Sequence, residues 1–189
     1  MLVVLGLIAT AGLVPAAAQS PPAPDPQTAP GGVFVTGQDP DFHAHQGPNH
    51  TGARRIIQAA VDYVAHDASD PAVLLVTSVV NPGSGHSDPR LGMAAAGYTF
   101  DVADEGTAGG AVHDIGTVNL DDYDVIVVAS DFGGWLRQGE VDALVARTGE
   151  LIDWINGGGG LVAFAQSGRL VTSNRYGFLP FLVSDVPLD

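Results

Sequence analysis

The sequence predicts an α/β fold: three layers, with a mostly parallel sheet and helices on both of its faces. Three observations predict it. Apolar runs of strand length alternate along the chain with amphipathic runs of helix length. The strand-like runs are apolar at nearly every position, which is how a strand covered on both faces reads. Turn-forming residues, such as Asp70-Pro71 and Gly157 to Gly160, separate the two kinds of run. Consecutive parallel strands joined by helices make right-handed crossovers.

Taken in order, Val33-Phe34-Val35-Thr36 predicts a first strand. Residues 51–66 predict a helix, because Ile56, Ile57, Ala60, Val61 and Val64 recur at spacings of three and four. Asn49 or Thr51 is the expected cap. Residues 72–76 predict a second strand. A loop rich in Gly, Ser, Asp and Pro follows over 81–89, then a short helix over 90–96 ended by Gly97. Residues 98–102 predict a third strand, and 124–129, β-branched and unbroken, a fourth. Asp121, Asp122 and Asp124 read as a solvated turn before it. Residues 138–155 predict a helix with a stripe of Val141, Leu144, Val145, Leu151, Ile152 and Ile155. Gly149 weakens its middle by about 1 kcal/mol relative to Ala, enough to split it. Residues 161–165 predict a fifth strand, and Gln166-Ser167-Gly168 leaves it at its carboxyl end, where open α/β sheets place their sites.

Composition narrows the function. The chain has 189 residues, 46% of them hydrophobic, enough for one domain with a sizeable core. Its formal charge is −14, and all seven basic residues are arginine. Such a surface repels nucleic-acid phosphates and anionic lipid. Cysteine is absent, which removes disulfides, Cys-ligated zinc and thiol nucleophiles. Residues 1–18 read as a signal peptide, with an apolar run over 2–14 and Ala16-Ala17-Ala18 before the cleavage point, although no Lys or Arg precedes the run. A secreted, periplasmic or cell-surface location follows, with no stable membrane insertion after cleavage. Residues 19–31 form a Pro-rich linker, and the domain occupies 32–189. No internal repeat, dinucleotide-binding glycine pattern or phosphate-binding loop is present.

Two constellations carry candidate chemistry. Asp39, Asp41, His43, His45 and His50 crowd the loop after the first strand. Neutral imidazoles and carboxylates suit a divalent metal such as zinc, with Asp41, His43, His45 and His50 as ligands, and His-x-His shares a face only in an extended segment. A polar loop before a helix is the alternative. In a parallel sheet this loop, His86 and Asp88 after the second strand, and Asp131 after the fourth emerge at one carboxyl edge. The second constellation is Gly133-Gly134 with Gln166 and Ser167. Ser167 is a nucleophile only with a base in reach and an oxyanion hole, for which Gly133 and Gly134 offer N–H groups; otherwise it is a turn residue. Trp135 either stacks on a sugar ring or packs at a helix start.

Asp122-Tyr123-Asp124-Val125-Ile126-Val127-Val128, then Gly133-Gly134, a helix, and Gly157 to Gly160 before Leu161-Val162-Ala163-Phe164, resembles the class I glutamine amidotransferase-like superfamily. The resemblance covers roughly 33–168 and is nearest in character to ThuA-like members. It implies a flavodoxin-like sheet. In the amidotransferases the turn after the last of these strands carries a nucleophilic Cys; the matching position is Gln166, and a carboxamide is not a nucleophile. The resemblance therefore implies the fold without amidotransferase chemistry. The expected role is to bind or process a small polar or carbohydrate ligand, with Asp131, Gly133, Gly134, Gln166 and Ser167 around it. A metal-dependent hydrolase on the His43/His45/His50 loop and a non-catalytic module of a larger secreted protein are the alternatives. The resembling families continue past the elbow, so the domain is expected to be truncated at its C-terminal side, with Phe178, Leu179, Phe181, Leu182 and Val183 awaiting a cover.

Overall fold

Among the described residues, eleven regular elements follow the expected alternation: β1 (Val33–Thr36), α1 (Pro40–His43), α2 (His50–Val64), β2 (Val73–Val76), α3 (Pro89–Ala96), β3 (Asp101–Asp104), β4 (Val112–Asp114), β5 (Val125–Val128), α4 (Gln138–Ala146), α5 (Thr148–Asn156) and β6 (Gly160–Phe164). A 3-10 turn, Leu120–Asp122, precedes β5. The computed structural model describes residues 30–66, 68–106, 112–171 and 174–183. The expected signal peptide and nearly all of the Pro-rich linker lie outside the described residues. None of the described helices is long and apolar enough to cross a membrane.

The six strands form one sheet in the order β1-β6-β5-β2-β3-β4, and every pairing is parallel. The chain starts at the β1 edge, crosses to β2, steps outward to β3 and β4, then returns to β5 beside β2 and finishes at β6 beside β1. Its direction reverses between β2 and β5, so the carboxyl ends of those strands bound the topological switch point. Connections on either side of the switch run opposite ways across the sheet. Right-handed crossovers then place α2 and α3 on one face and α4 and α5 on the other. Consistently, α2 packs on α3, β1 and β6. This is a three-layer, flavodoxin-like arrangement.

Every residue of β2, β5 and β6 is buried, as their unbroken apolar sequences require. On α2 the buried residues are Ala53, Ile57, Ala60, Val61 and Val64, while Ile56 is only half-buried. Packing begins where the linker ends. Gly31 donates its N–H to the Ile155 carbonyl at 2.7 Å. A Cβ there would lie 1.6 Å from the Gly159 oxygen, so only glycine fits.

Several boundaries differ from the sequence reading. The third strand begins at Asp101, because the ladder with β2 starts at the Leu74–Asp101 pair. Tyr98 is instead a connector whose hydroxyl donates to the Asp62 carboxylate at 3.1 Å. The 138–155 helix does split, but at Arg147, where φ is −104° and ψ 15°. The Arg147 guanidinium is pulled aside to the carbonyls of Ile115 and Val118, at 2.6 and 2.7 Å. Asp124 is not part of a merely solvated turn, since its carboxylate accepts the Ala72 N–H at 2.8 Å. The C-terminal apolar group divides: Phe178 and Leu179 are buried in the core, while Phe181, Leu182 and Val183 are exposed.

Candidate functional site

The loop after β1 turns back over the carboxyl edge of the sheet. Pro40 sits in the first turn of α1, where its fixed φ and missing N–H are tolerated. That single turn drives Asp41 inward to 0% exposure. Asp41 Oδ2 accepts both the Ser130 N–H, at 2.9 Å, and the Ser130 hydroxyl, at 3.1 Å. Ser130 Oγ in turn accepts the Gly134 N–H at 3.0 Å. Asp41 Oδ1 is buried without a partner. Burial outweighs the Ser130 hydrogen bonds and pushes the Asp41 carboxyl up to about 6. The close approach depends on glycines. A Cβ on Gly134 would lie 2.7 Å from Asp41 Oδ2, and one on Gly92 2.0 Å from the Asp41 carbonyl. The chain thus fills the carboxyl end of β5, beside its own switch point, with α1.

Asp131, also buried, organises the turn after β6. Its carboxylate accepts the N–H groups of Gly168, Arg169 and Leu170 at 2.8 to 2.9 Å, and the Ser167 hydroxyl at 3.2 Å. The Gln166 carbonyl accepts the Asp131 and Phe132 N–H groups, each at 3.3 Å. The Arg169 guanidinium donates to the carbonyls of Asp131 and Gly134. Ser167 is therefore a turn residue. No histidine is bonded to it among the described residues. The oxyanion hole expected at Gly133 and Gly134 is not formed. The Gly134 N–H is committed to Ser130, and Gly133 is wedged so tightly that a Cβ would lie 2.3 Å from Asp39 Oδ2.

The first-strand loop and the β6 turn do meet in one cleft of about 370 Å³, lined by Gln38, Asp39, His43, Asn49, Ile56 and Gln166 among others. Asp39 Oδ1 stands 3.4 Å from His43 Nε2. Burial raises the Asp39 carboxyl above its ordinary value, with His43 pulling it back. His43 Nδ1 is buried without a hydrogen-bond partner, close beneath Gly47, whose φ of 79° lets the backbone fold over the ring. Asn49 holds a left-handed φ of 63°, and its side chain accepts the Gly52 N–H to cap α2. Asn tolerates this region because its short polar side chain bonds locally.

The metal set is not assembled. Asp41 points into the interior, His43 lines the cleft, and His45 and His50 are exposed. No group of three His, Asp or Glu side chains among the described residues could hold a metal. The reason is local: the Ala44 N–H bonds the Pro40 carbonyl and the Gln46 N–H that of Phe42. A coiled segment does not put His43 and His45 on one face, as the extended form would.

After β2, Asp88 caps α3 through the Arg90 N–H and holds the Arg90 guanidinium, and it does not line the cleft. His86 is half-buried, with Nδ1 unpartnered; burial and the nearby Arg169 charge disfavour its protonation. Trp135 is buried and lies under the Arg90 guanidinium, 5.4 Å from its centroid, so it does not offer a face to a sugar. A larger cleft, about 710 Å³, lies at the opposite, amino edge and is lined by Asp121, Asp124, Glu150 and Asp153. It is remote from the residues described above, and open α/β sheets hold ligands at the carboxyl ends instead. Ser130 and Arg169 hold the carboxyl edge together yet have no sequence signal beyond their places after β5 and β6. No family model, curated protein or solved structure matches the chain.

Proposed function

We propose that the chain is an exported binding domain of the class I glutamine amidotransferase-like kind, lacking amidotransferase chemistry. It takes a small, neutral, hydroxyl-rich ligand of the carbohydrate type in the cleft between the β1 loop and the β6 turn. The observation that carries this reading is the convergence of Asp39, His43 and Gln166, with Gln38 and Asn49, on one cleft of about 370 Å³. That volume is within the ordinary range for small-molecule sites, roughly 300–1,000 Å³. Carboxylate, imidazole and carboxamide groups supply both donors and acceptors, as hydroxyl recognition needs. Gln166 stands where the resembling enzymes keep a thiol, so it fits a role in holding a ligand and not in attacking one.

Saturation-transfer NMR of the full chain with a panel of neutral mono- and disaccharides and polyols tests this. A sugar should receive saturation, and Gln166→Ala should weaken its binding by about tenfold, the size of one lost hydrogen bond to a buried group. Asp39→Asn should weaken it too, while thermal melts show both variants folded. Saturation transfer to none of the panel, or equal transfer in both variants, would sink the reading.

A further inference from the structure

The two edges of the sheet are built differently. The β4 edge is short and polar: Val112–Asp114 offers three residues, two of them His113 and Asp114. Short, charged edges resist pairing with another chain. The β1 edge lacks that protection. Val33–Thr36 holds no charge and no proline, and three of its four residues are apolar. They are only half-buried, whereas β2, β5 and β6 are buried throughout. Among the described residues no strand pairs with the outer side of β1. The chain as a whole carries a formal charge of −14, yet no charged residue lies between Asp25 and Asp39.

The ladder with β6 fixes which backbone groups face outward. The Gly32 carbonyl accepts the Leu161 N–H at 2.9 Å, and the Thr36 carbonyl accepts the Ala165 N–H at 2.7 Å. Hydrogen-bonding direction alternates along a strand, so Gly32, Phe34 and Thr36 address β6. The N–H and C=O groups of Val33 and Val35 therefore point away from the sheet. They stand symmetrically about Phe34. A second copy of the same strand, run antiparallel about Phe34, meets all four groups. Val33 exchanges two hydrogen bonds with the partner's Val35, and Val35 two with the partner's Val33. Phe34 then faces the partner's Phe34 at the closer, non-hydrogen-bonded spacing, where aromatic pairs stabilise a sheet. Tyr63 on α2 extends the contact. It is 62% exposed, and a Cβ on Gly32 would lie 3.4 Å from its ring, so it flanks the amino end of β1. Antiparallel pairing brings that end beside the partner's Thr36 and the partner's Gly37.

We propose that β1 is a dimerisation edge: two copies of this chain join by antiparallel β1–β1 pairing into one continuous sheet. The patch meets itself, as a closed two-fold assembly requires. Two acidic copies repel, so they meet best along a strip that carries no charge of its own. A strand of opposite charge from another protein would find nothing there to attract it. The pairing rests on no part of the sugar-binding reading. Each cleft lies at the carboxyl end of its own β1, so in the dimer the two clefts open at opposite ends of the joint sheet.

Sedimentation velocity of the full chain over a range of concentrations tests this. A monomer–dimer equilibrium is expected, and added salt should strengthen it by screening the repulsion between acidic copies. Val35→Pro removes an outward N–H and leaves the β6 ladder intact, since an edge strand tolerates proline where its N–H faces away. It deletes two hydrogen bonds per dimer and should weaken association by about tenfold. Tyr63→Glu, at an exposed helix position, should weaken it too by placing a charge at the contact. Thermal melts check that both variants fold. In hydrogen exchange, the Val33 and Val35 amides should gain protection as concentration rises. A chain that stays monomeric would leave the edge to a strand of another protein and overturn the proposal. A dimer that survives both substitutions would place the contact elsewhere and overturn it equally.

Discussion

At the scale of single residues, the carboxyl edge is held by one buried carboxyl. Asp41 ties the β1 loop to Ser130, 89 positions away in sequence, by two hydrogen bonds. Removing it leaves the Ser130 N–H and hydroxyl buried without their acceptor. A stranded buried polar group costs about 1–3 kcal/mol, and the cavity adds to that. Asp41→Ala should therefore destabilise the fold by roughly 3 kcal/mol in urea denaturation, and it should also loosen the cleft, because Asp39 and His43 share its helical turn. A loss below about 0.5 kcal/mol, the range of ordinary surface substitutions, would show that the latch is ornamental. The sequence marked Asp41 as a residue of interest but for the wrong chemistry. Type and spacing said ligand; what decided its role was the direction of its side chain, fixed by Pro40 and by the space at Gly92 and Gly134. Pro40 is the adjacent residue, but the space at Gly92 and Gly134 is not local in sequence. Asp131 shows the same limit: its position after a strand was legible, whereas its four donors come from 36 to 39 residues further on.

At the scale of elements, legibility followed burial. β2, β5 and β6 are buried along their whole length and announce themselves as unbroken apolar runs. β4, Val112–Asp114, does not: it is Val-His-Asp at the sheet edge and borrows its conformation from pairing with β3. No pattern over three residues could reveal it. The break between α4 and α5 was foreseen as a weakness at Gly149, yet the chain parts two residues earlier. Tertiary hydrogen bonds from Arg147 outweigh a propensity difference of about 1 kcal/mol. Gly149 itself sits inside α5, and a Cβ there would meet nothing within 4 Å. Gly149→Ala should thus stabilise the protein by about 0.5–1 kcal/mol, through helix propensity and a less flexible unfolded chain. A higher melting temperature with unchanged ligand binding is the expected readout. A lower one would mean that α5 needs glycine for a reason its surroundings do not reveal.

At the scale of the whole molecule, stability should increase on mild acidification. The chain carries a formal charge of −14 and a sequence pI near 4.4, so at neutral pH its acidic surface repels itself. The buried carboxyls act in the same direction. Asp41 is raised from 3.8 to about 6, chiefly by burial. Glu140, buried beside Asp104, is raised from 4.5 to about 7, again chiefly by burial. Between the unfolded and folded values the native state holds these protons and the unfolded state does not. The unfolded state therefore binds fewer protons there, and stability falls as pH rises through that window. Asp39 adds to the trend, since its carboxyl is raised too. His86 opposes it: its protonation is disfavoured in the fold, so its contribution is lost as pH falls. The carboxyls should prevail, giving a gain on the order of 2–4 kcal/mol from about pH 7 to pH 5. Glu140→Gln, which can still accept from the Arg137 N–H and donate to Asp104, should flatten that slope by removing the larger titration. Added salt, at about 0.5 M, should raise the neutral-pH melting temperature by screening the surface, but should leave the Asp41 and Glu140 contributions in place. Melting curves measured across pH at both salt levels separate the two causes. A slope that vanished in high salt would assign the whole effect to surface repulsion and none to the buried carboxyls.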